Sequence, residues 1–288
     1  MLRQRSISAI GIVLFAAIPA FLGGLVFAAA MLVIALVAIH ELITAFRVGG
    51  HQPFSRSAIA ATAVFMVVGA FTEAERSAAW LVVGFLLISL VVPMARKAIN
   101  GVITDWALTF CAVMYVALPL MFAVALRKSP GDATRHWTNA VASWLDTPGK
   151  GLSLVGIVFA VTWLNDTAAY LVGRKYGRTK LIPEISPGKT RVGSVAGVVT
   201  GMFTGAVAAW IFGAPLNLFL AAGLGCVLAV SGQLGDLAES LIKRNLGLKD
   251  MGNLIPGHGG MLDRVDALLF TFPVTFMVAE LLTRIGWM

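Results

Sequence analysis

Apolar runs of membrane-spanning length recur along almost the whole chain, and no other sequence feature restricts its fold as much. A bilayer core about 30 Å thick is crossed by ~20 helical residues. Runs of that order cover residues 6–20, 23–46, 57–72, 78–95, 105–126, 151–172, 193–213, 215–242 and 265–285. In hydrocarbon the backbone must satisfy its own polar groups, so such runs fold as helices. The chain therefore reads as an all-α, polytopic integral membrane protein with about nine transmembrane helices. Hydrophobic residues make up 58% of its 288 positions, more than a soluble domain could cover. Arg3 and Arg5 precede an apolar stretch, Ile7 to Phe46, that is too long for a secretory signal and reads as retained spans. Pro19 and Gly23-Gly24 mark the break between the first two.

Charge orients the spans. Nine crossings alternate the loops, and one side holds the N-terminus with loops 47–56, 96–104, 173–192 and 243–264. That side carries 16 of the 22 Lys and Arg residues. Basic loops stay cytoplasmic, so the N-terminus and these loops are expected to face the cytoplasm of a cell (inner) membrane. The net charge of +8 belongs to this asymmetry. It does not point to nucleic acid, because no basic stripe is interleaved with stacking aromatics. Trp137 and Trp144, in the polar loop 127–150, suggest an interfacial segment. Cys111 and Cys226 lie in apolar runs without metal-ligand spacing and read as buried, inert thiols. Glu41, beside His40 and Arg47, reads either as a functional carboxylate or, in preference, as one reaching for the interface.

From residue 151 onward the polar residues come in organised sets. Asp166 stands in an otherwise apolar helix, beside Asn165 and one turn before Tyr170. An Asp there costs ~2.5–3.5 kcal/mol at the bilayer centre, so it must line a wet cavity, pair with a cation or bind a metal. Ser186-Pro187-Gly188-Lys189-Thr190 enters the next span as a hydroxyl, glycine and lysine loop. Backbone amides at a helix start, with a Lys and a hydroxyl, suit phosphate. Asp236, Glu239, Ser240 and Lys243 fall at i, i+3, i+4 and i+7, which makes one polar stripe. A Glu239–Lys243 pair explains part of that stripe and leaves Asp236 unexplained.

The densest set runs from Ser240 to Asp266, with four basic residues, three Asp, one His and five Gly in a chain only 12% charged. Gly257, Gly259 and Gly260 allow close backbone approach around His258, and Asp263 and Asp266 share a helix face. Carboxylates from separate segments, with cations alongside, suit Mg²⁺ better than zinc. The sets together describe a cytoplasm-facing polar cavity in the C-terminal half, built for phosphoryl or nucleotidyl transfer onto a lipid.

At these residues the sequence closely resembles CDP-diacylglycerol synthase, also called phosphatidate cytidylyltransferase. The matching elements are Ser240-Leu-Ile-Lys243-Arg244, Lys249-Asp250, Pro256-x-His258-Gly259-Gly260 and Asp263-Arg264-x-Asp266. Upstream, Asp166-Thr167-x-Ala169-Tyr170, Gly173-Arg174 and Ser186-Pro187-x-Lys189-Thr190 look like the same family in the same order. The resemblance implies cytidylyl transfer from CTP to phosphatidate, giving CDP-diacylglycerol and pyrophosphate. It implies Mg²⁺ with a monovalent cation such as K⁺, and a homodimer embedded among membrane lipids. Asp236, Asp263 and Asp266 would be the metal positions, with Lys243 and His258 also catalytic. Asn165, Asp166, Ser186, Lys189, Thr190, Ser240, Arg244, Lys249, Gly259, Gly260 and Arg264 would bind substrate. Residues 1–150 would serve structure, dimerisation and lipid access, and 151–288 catalysis.

One departure stands out. The family usually continues Ser-Pro-x-Lys-Thr with Trp-Glu-Gly, and here Arg191-Val192-Gly193 follows. The loss of a carboxylate and gain of a cation should raise affinity for polyphosphate at this turn. Two other readings compete. A CTP-dependent lipid kinase of the polyprenol type would release CDP instead of pyrophosphate. A transporter of a phosphorylated solute would use Asp166 and the basic loops, but shows no inverted repeats or broken helices here.

Overall fold

The computed structural model describes residue 11 and residues 14–95, 99–129, 149–254 and 259–288. The apolar runs become helices, as their composition requires. These are α1 (Gly24–Val48), α2 (Ser55–Phe71), α3 (Ala74–Val91, continued by a 3₁₀ turn, Val92–Ala95) and α4 (Val102–Arg127). After them come α5 (Lys150–Tyr176), α6 (Arg191–Ile211), α7 (Leu218–Asn245), the single turn α8 (Leu262–Val265) and α9 (Leu268–Arg284). Among the described residues, seven helices are long and apolar enough to cross a membrane, α8 and α9 counting as one. At 17 residues α2 falls just short. The expected first span, 6–20, lies largely outside the described residues, although 14–22 are helical. Gly23 (φ 68°) and Gly24 (φ 47°) break the chain between that helix and α1, in a backbone region that glycine enters freely. Trp137 and Trp144 lie outside the described residues.

One element departs from the all-helical expectation. Lys180–Ile182 (β1) and Ser186–Thr190 (β2) form an antiparallel hairpin, pairing Lys180 with Thr190 and Ile182 with Ser186. What reads in sequence as a loop, Ser186 to Thr190, is its second strand. Pro187 lacks an amide proton and fits an edge position.

Compactness divides the chain into two units, at points other than the two halves expected from composition. One comprises Met1–Ala125 with Asn245–Arg264, the other Leu126–Arg244 with Val265–Met288. In the first unit, the loop between α1 and α2 is tied to α4. Asp105 Oδ1 accepts the Gln52 amide at 2.7 Å, and Thr109 Oγ1 accepts that of Phe54 at 2.9 Å. Phe65, Phe85 and Phe110 of α2, α3 and α4 pack edge-on and stacked, at 6.3 and 5.6 Å. The segment 245–264 belongs to this unit, and Leu246 lies against Gly49. Glu41 corrects its sequence reading: it is buried, 8% exposed, and faces that segment rather than the interface.

In the second unit glycines bring helices into near contact. A Cβ on Gly205 would lie 2.7 Å from Gly225 Cα, and one on Gly201 would lie 3.0 Å from Gly225 O. Lipid gives helices no hydrophobic reason to associate, so close van der Waals approach carries the packing of α6 on α7. Phe159 of α5 meets Phe272 of α9 edge-on at 5.7 Å. Both cysteines are free, Cys226 half-buried, but Cys111 is exposed, contrary to the buried reading. A thiol behaves as a small hydrophobe, so an apolar outer face suits it as a core would.

Candidate active site

The second unit holds a cavity of about 630 Å³, within the ~300–1,000 Å³ usual for small-molecule sites. Three helices and the hairpin build it. From α5 come Asp166, Tyr170 and Arg174. The hairpin supplies Lys180, Ser186, Gly188, Lys189 and Thr190. Ser194 comes from α6, and Gln233 and Asp236 from α7. The hairpin seats closely on α5, because Thr190 Oγ1 approaches the places where Gly173 and Gly177 would carry a Cβ.

An ion pair between the hairpin and α7 lines the cavity. Lys189 Nζ lies 2.7 Å from Asp236 Oδ2, both side chains partly open to solvent. Ser240 donates to the other oxygen of Asp236 at 3.3 Å. Along one wall runs a chain of amides and a hydroxyl. Ser194 Oγ donates to Gln233 Oε1, Gln233 Nε2 to Asn165 Oδ1 (2.9 Å), and Asn165 Nδ2 to Asp166 Oδ1 (2.9 Å). Each donor points towards Asp166, whose carboxylate opens to the cavity. Gly197 is glycine because a Cβ there would reach Gln233 Nε2 at 2.9 Å and overlap Asn165 Oδ1.

Further carboxylates gather beside the cavity. Asp266 is acted on by the like charges of Glu239, Asp236 and Asp166. Glu239, fully buried, pairs with Lys243 at 2.5 Å, and Asp236 with Lys189. Arg174 and Lys180 of the lining add two further cations to this group. No group of three or more His, Cys, Asp or Glu among the described residues forms a ready cage for a metal. Mg²⁺ does not need one: it keeps several waters and binds through one or two carboxylates plus phosphate oxygens.

The structure thus brings together Asp166, Ser186, Lys189, Thr190 and Asp236 of the expected residues, with Asn165 and Ser240 in direct support. Lys243 is paired with Glu239 and is not in the lining. Asp266 is half-buried and takes the Ala267 amide at 2.7 Å. Arg244 donates to Ile185 O at 3.3 Å, at the hairpin turn. The helix-start reading needs adjustment. Thr190 Oγ1 caps the Gly193 amide at 3.2 Å and the Arg191 amide bonds Thr179 O at 3.0 Å, so these two amides are occupied. Arg191 and Val192 are exposed and do not line the cavity.

The remaining expected residues belong to the first unit. Asp263 Oδ2 accepts the amides of Met251 (2.9 Å) and Gly260 (2.8 Å). Gly259, at φ +80°, passes so close that a Cβ would lie 2.9 Å from that oxygen. Lys249 and Arg264 are exposed. His258 lies outside the described residues. Sequence reasoning missed Arg174 and Lys180 as lining cations, and Ser194 and Gln233 altogether. Gln233 precedes Asp236 by three residues, so extending the α7 stripe by one turn finds it. Ser194 follows Thr190 by four.

Fold and site define a helical membrane protein with a polar cavity lined by three cations and two carboxylates. The chain belongs to the cytidylyltransferase family, which it matches over residues 3–282. It is 31% identical to a phosphatidate cytidylyltransferase of Synechocystis over 97% of both chains. Over 44% of this chain it is 42% identical to a phosphatidate cytidylyltransferase of Staphylococcus haemolyticus, covering 49% of that protein. It is 47% identical to the uncharacterized YnbB protein of Escherichia coli K12, over 44% of this chain and 42% of that one. The chain therefore spans about half the length of these last two relatives and nearly all of the first.

Proposed function

We propose that this protein transfers the cytidylyl group of CTP to phosphatidate, giving CDP-diacylglycerol and pyrophosphate for phospholipid synthesis. The observation that carries the reading is the Lys189–Asp236 pair, a cation of the kind that suits phosphate beside a carboxylate of the kind that suits a metal ion. Family membership and the full-length Synechocystis relative support the same chemistry.

A phosphate oxygen of phosphatidate attacks the α-phosphorus of CTP in line. The bond from that phosphorus to the bridging oxygen breaks, and pyrophosphate leaves. Catalysis is positioning and charge neutralisation, with no covalent intermediate on the enzyme. Lys189, Arg174 and Lys180 bind phosphate oxygens, and Ser186 and Thr190 orient them. Asp166 accepts a hydrogen bond from substrate, held in place by Asn165. Lys249, Arg244 and Arg264 are further substrate contacts. Mg²⁺, when bound, neutralises triphosphate charge, and Asp236, Asp263 and Asp266 are the carboxylates proposed to hold it, with K⁺ as a second cation. The loops that carry these residues face the cytoplasm of the cell membrane, and the protein acts as a homodimer.

Purified protein given labelled CTP and phosphatidate decides the matter. Mg²⁺-dependent release of pyrophosphate with label in the lipid is the expected result. Release of CDP would make it a CTP-dependent lipid kinase, and no turnover would defeat both.

A further inference from the structure

Glu41 is a carboxylate in α1, a helix otherwise almost free of charge, and it is 8% exposed. A buried carboxylate there needs partners, and its partners are backbone amides 220 and 221 residues further on. Oε1 accepts the Met261 amide at 2.9 Å and Oε2 the Leu262 amide at 2.8 Å. The carboxylate fits a slot between two glycines. A Cβ on Gly252 would lie 2.6 Å from Oε1, and one on Gly260 2.6 Å from Oε2. Neither glycine has a positive φ, so space and not backbone conformation requires glycine at both. Asp263 takes the amides of Met251 and Gly260. Between them the two carboxylates satisfy three successive amides, Gly260, Met261 and Leu262.

We infer that Glu41 is a positioning residue: it fixes the backbone of 260–262 and through it the setting of Asp263, so that an N-terminal helix governs turnover. The activity side rests on the cytidylyltransferase reading above. A misplacement of about 1 Å can cost ~10²-fold in rate. Glu41→Gln keeps the shape but turns an NH₂ group against one of the two amides.

Three measurements test this. Glu41→Gln is expected to lower kcat by about 10- to 100-fold at temperatures where the variant is still fully folded in detergent, its unfolding temperature falling only modestly through one unsatisfied amide. Gly252→Ala is expected to lower kcat in the wild-type background and to have no further effect when combined with Glu41→Ala, since the crowded group is gone. Exchange of the amides in 259–263 is expected to quicken in Glu41→Gln. Wild-type kcat in Glu41→Gln, a loss explained by lower unfolding temperature alone, or equal effects of Gly252→Ala in both backgrounds would overturn the positioning role. If the wild-type protein does not turn over CTP and phosphatidate, the functional reading fails. The anchor is then judged by exchange alone, and unchanged exchange overturns it.

Discussion

The cavity of the second unit and the glycine-rich segment of the first both keep carboxylates in an apolar protein, but they hold them differently. Asp236 and Asp166 of the cavity meet side chains: Lys189, Ser240 and Asn165. Asp263 of the segment, and Glu41 of α1 that faces it, meet backbone amides. Side-chain partners can rotate away and be replaced by a phosphate or a cation at little cost to the fold. Backbone amides cannot leave without the chain changing course, and an unsatisfied buried amide costs ~1–3 kcal/mol. The cavity is thus suited to exchanging partners with a ligand, and the segment to keeping one shape.

Substitutions can sharpen or break that contrast. The largest effect is expected from Asp236→Asn, which removes the charge opposite Lys189: turnover should fall by about 10³-fold, the scale of deleting a group that stabilises transition-state charge. The protein should remain folded in detergent, because Asn keeps the shape of the side chain and an oxygen that can accept from Lys189 Nζ. Activity within tenfold of wild type would break the assignment of the cavity.

Asp263→Asn retains an oxygen that can accept the Met251 and Gly260 amides, so the segment should keep its exchange behaviour while turnover drops by about 10²-fold or more. Near wild-type turnover would remove Asp263 from the metal site and leave it a purely structural role. Next is Lys189→Ala, which deletes a phosphate contact and is expected to raise KM for CTP by about tenfold. An unchanged KM would move the phosphate site elsewhere.

Gly197→Ala should act through stability. Its Cβ would crowd the Asn165–Gln233 bond, and overpacking of this kind costs about 1–3 kcal/mol, readable as a lower unfolding temperature in detergent. The smallest effect is expected from Val192→Glu. The family's usual carboxylate would be restored at a position 46% exposed and outside the lining. Exposed pairs contribute ~0–1 kcal/mol, so KM for CTP should change less than about fivefold. A larger rise that disappears at high salt would bring Arg191 into the nucleotide site after all.

The helices were legible in the chain because lipid leaves a long apolar run no other fold: eight of the nine expected apolar segments correspond to described helices. Asp166 and Asp236 were legible for the same reason, since a charge in such surroundings demands a partner, and Lys189 because a lysine with hydroxyls and glycine before a helix suits phosphate. Ser186–Thr190 was not legible as a strand. Its pairing with Lys180–Ile182 is a contact between segments, and a Pro-Gly pair reads locally as a turn. Gln233 and Ser194 are neutral residues of ordinary type, and only their meeting with Asn165 gives them a role.

Glu41 marks the boundary most clearly. The sequence by itself determined that this carboxylate lies in an apolar helix near basic residues, and it determined that Gly252 and Gly260 are small. Only the tertiary structure decided that the one fills the space left by the others. Apolar periodicity acts locally and is written along the chain, whereas a hydrogen bond spanning 220 residues depends on where the fold returns the backbone.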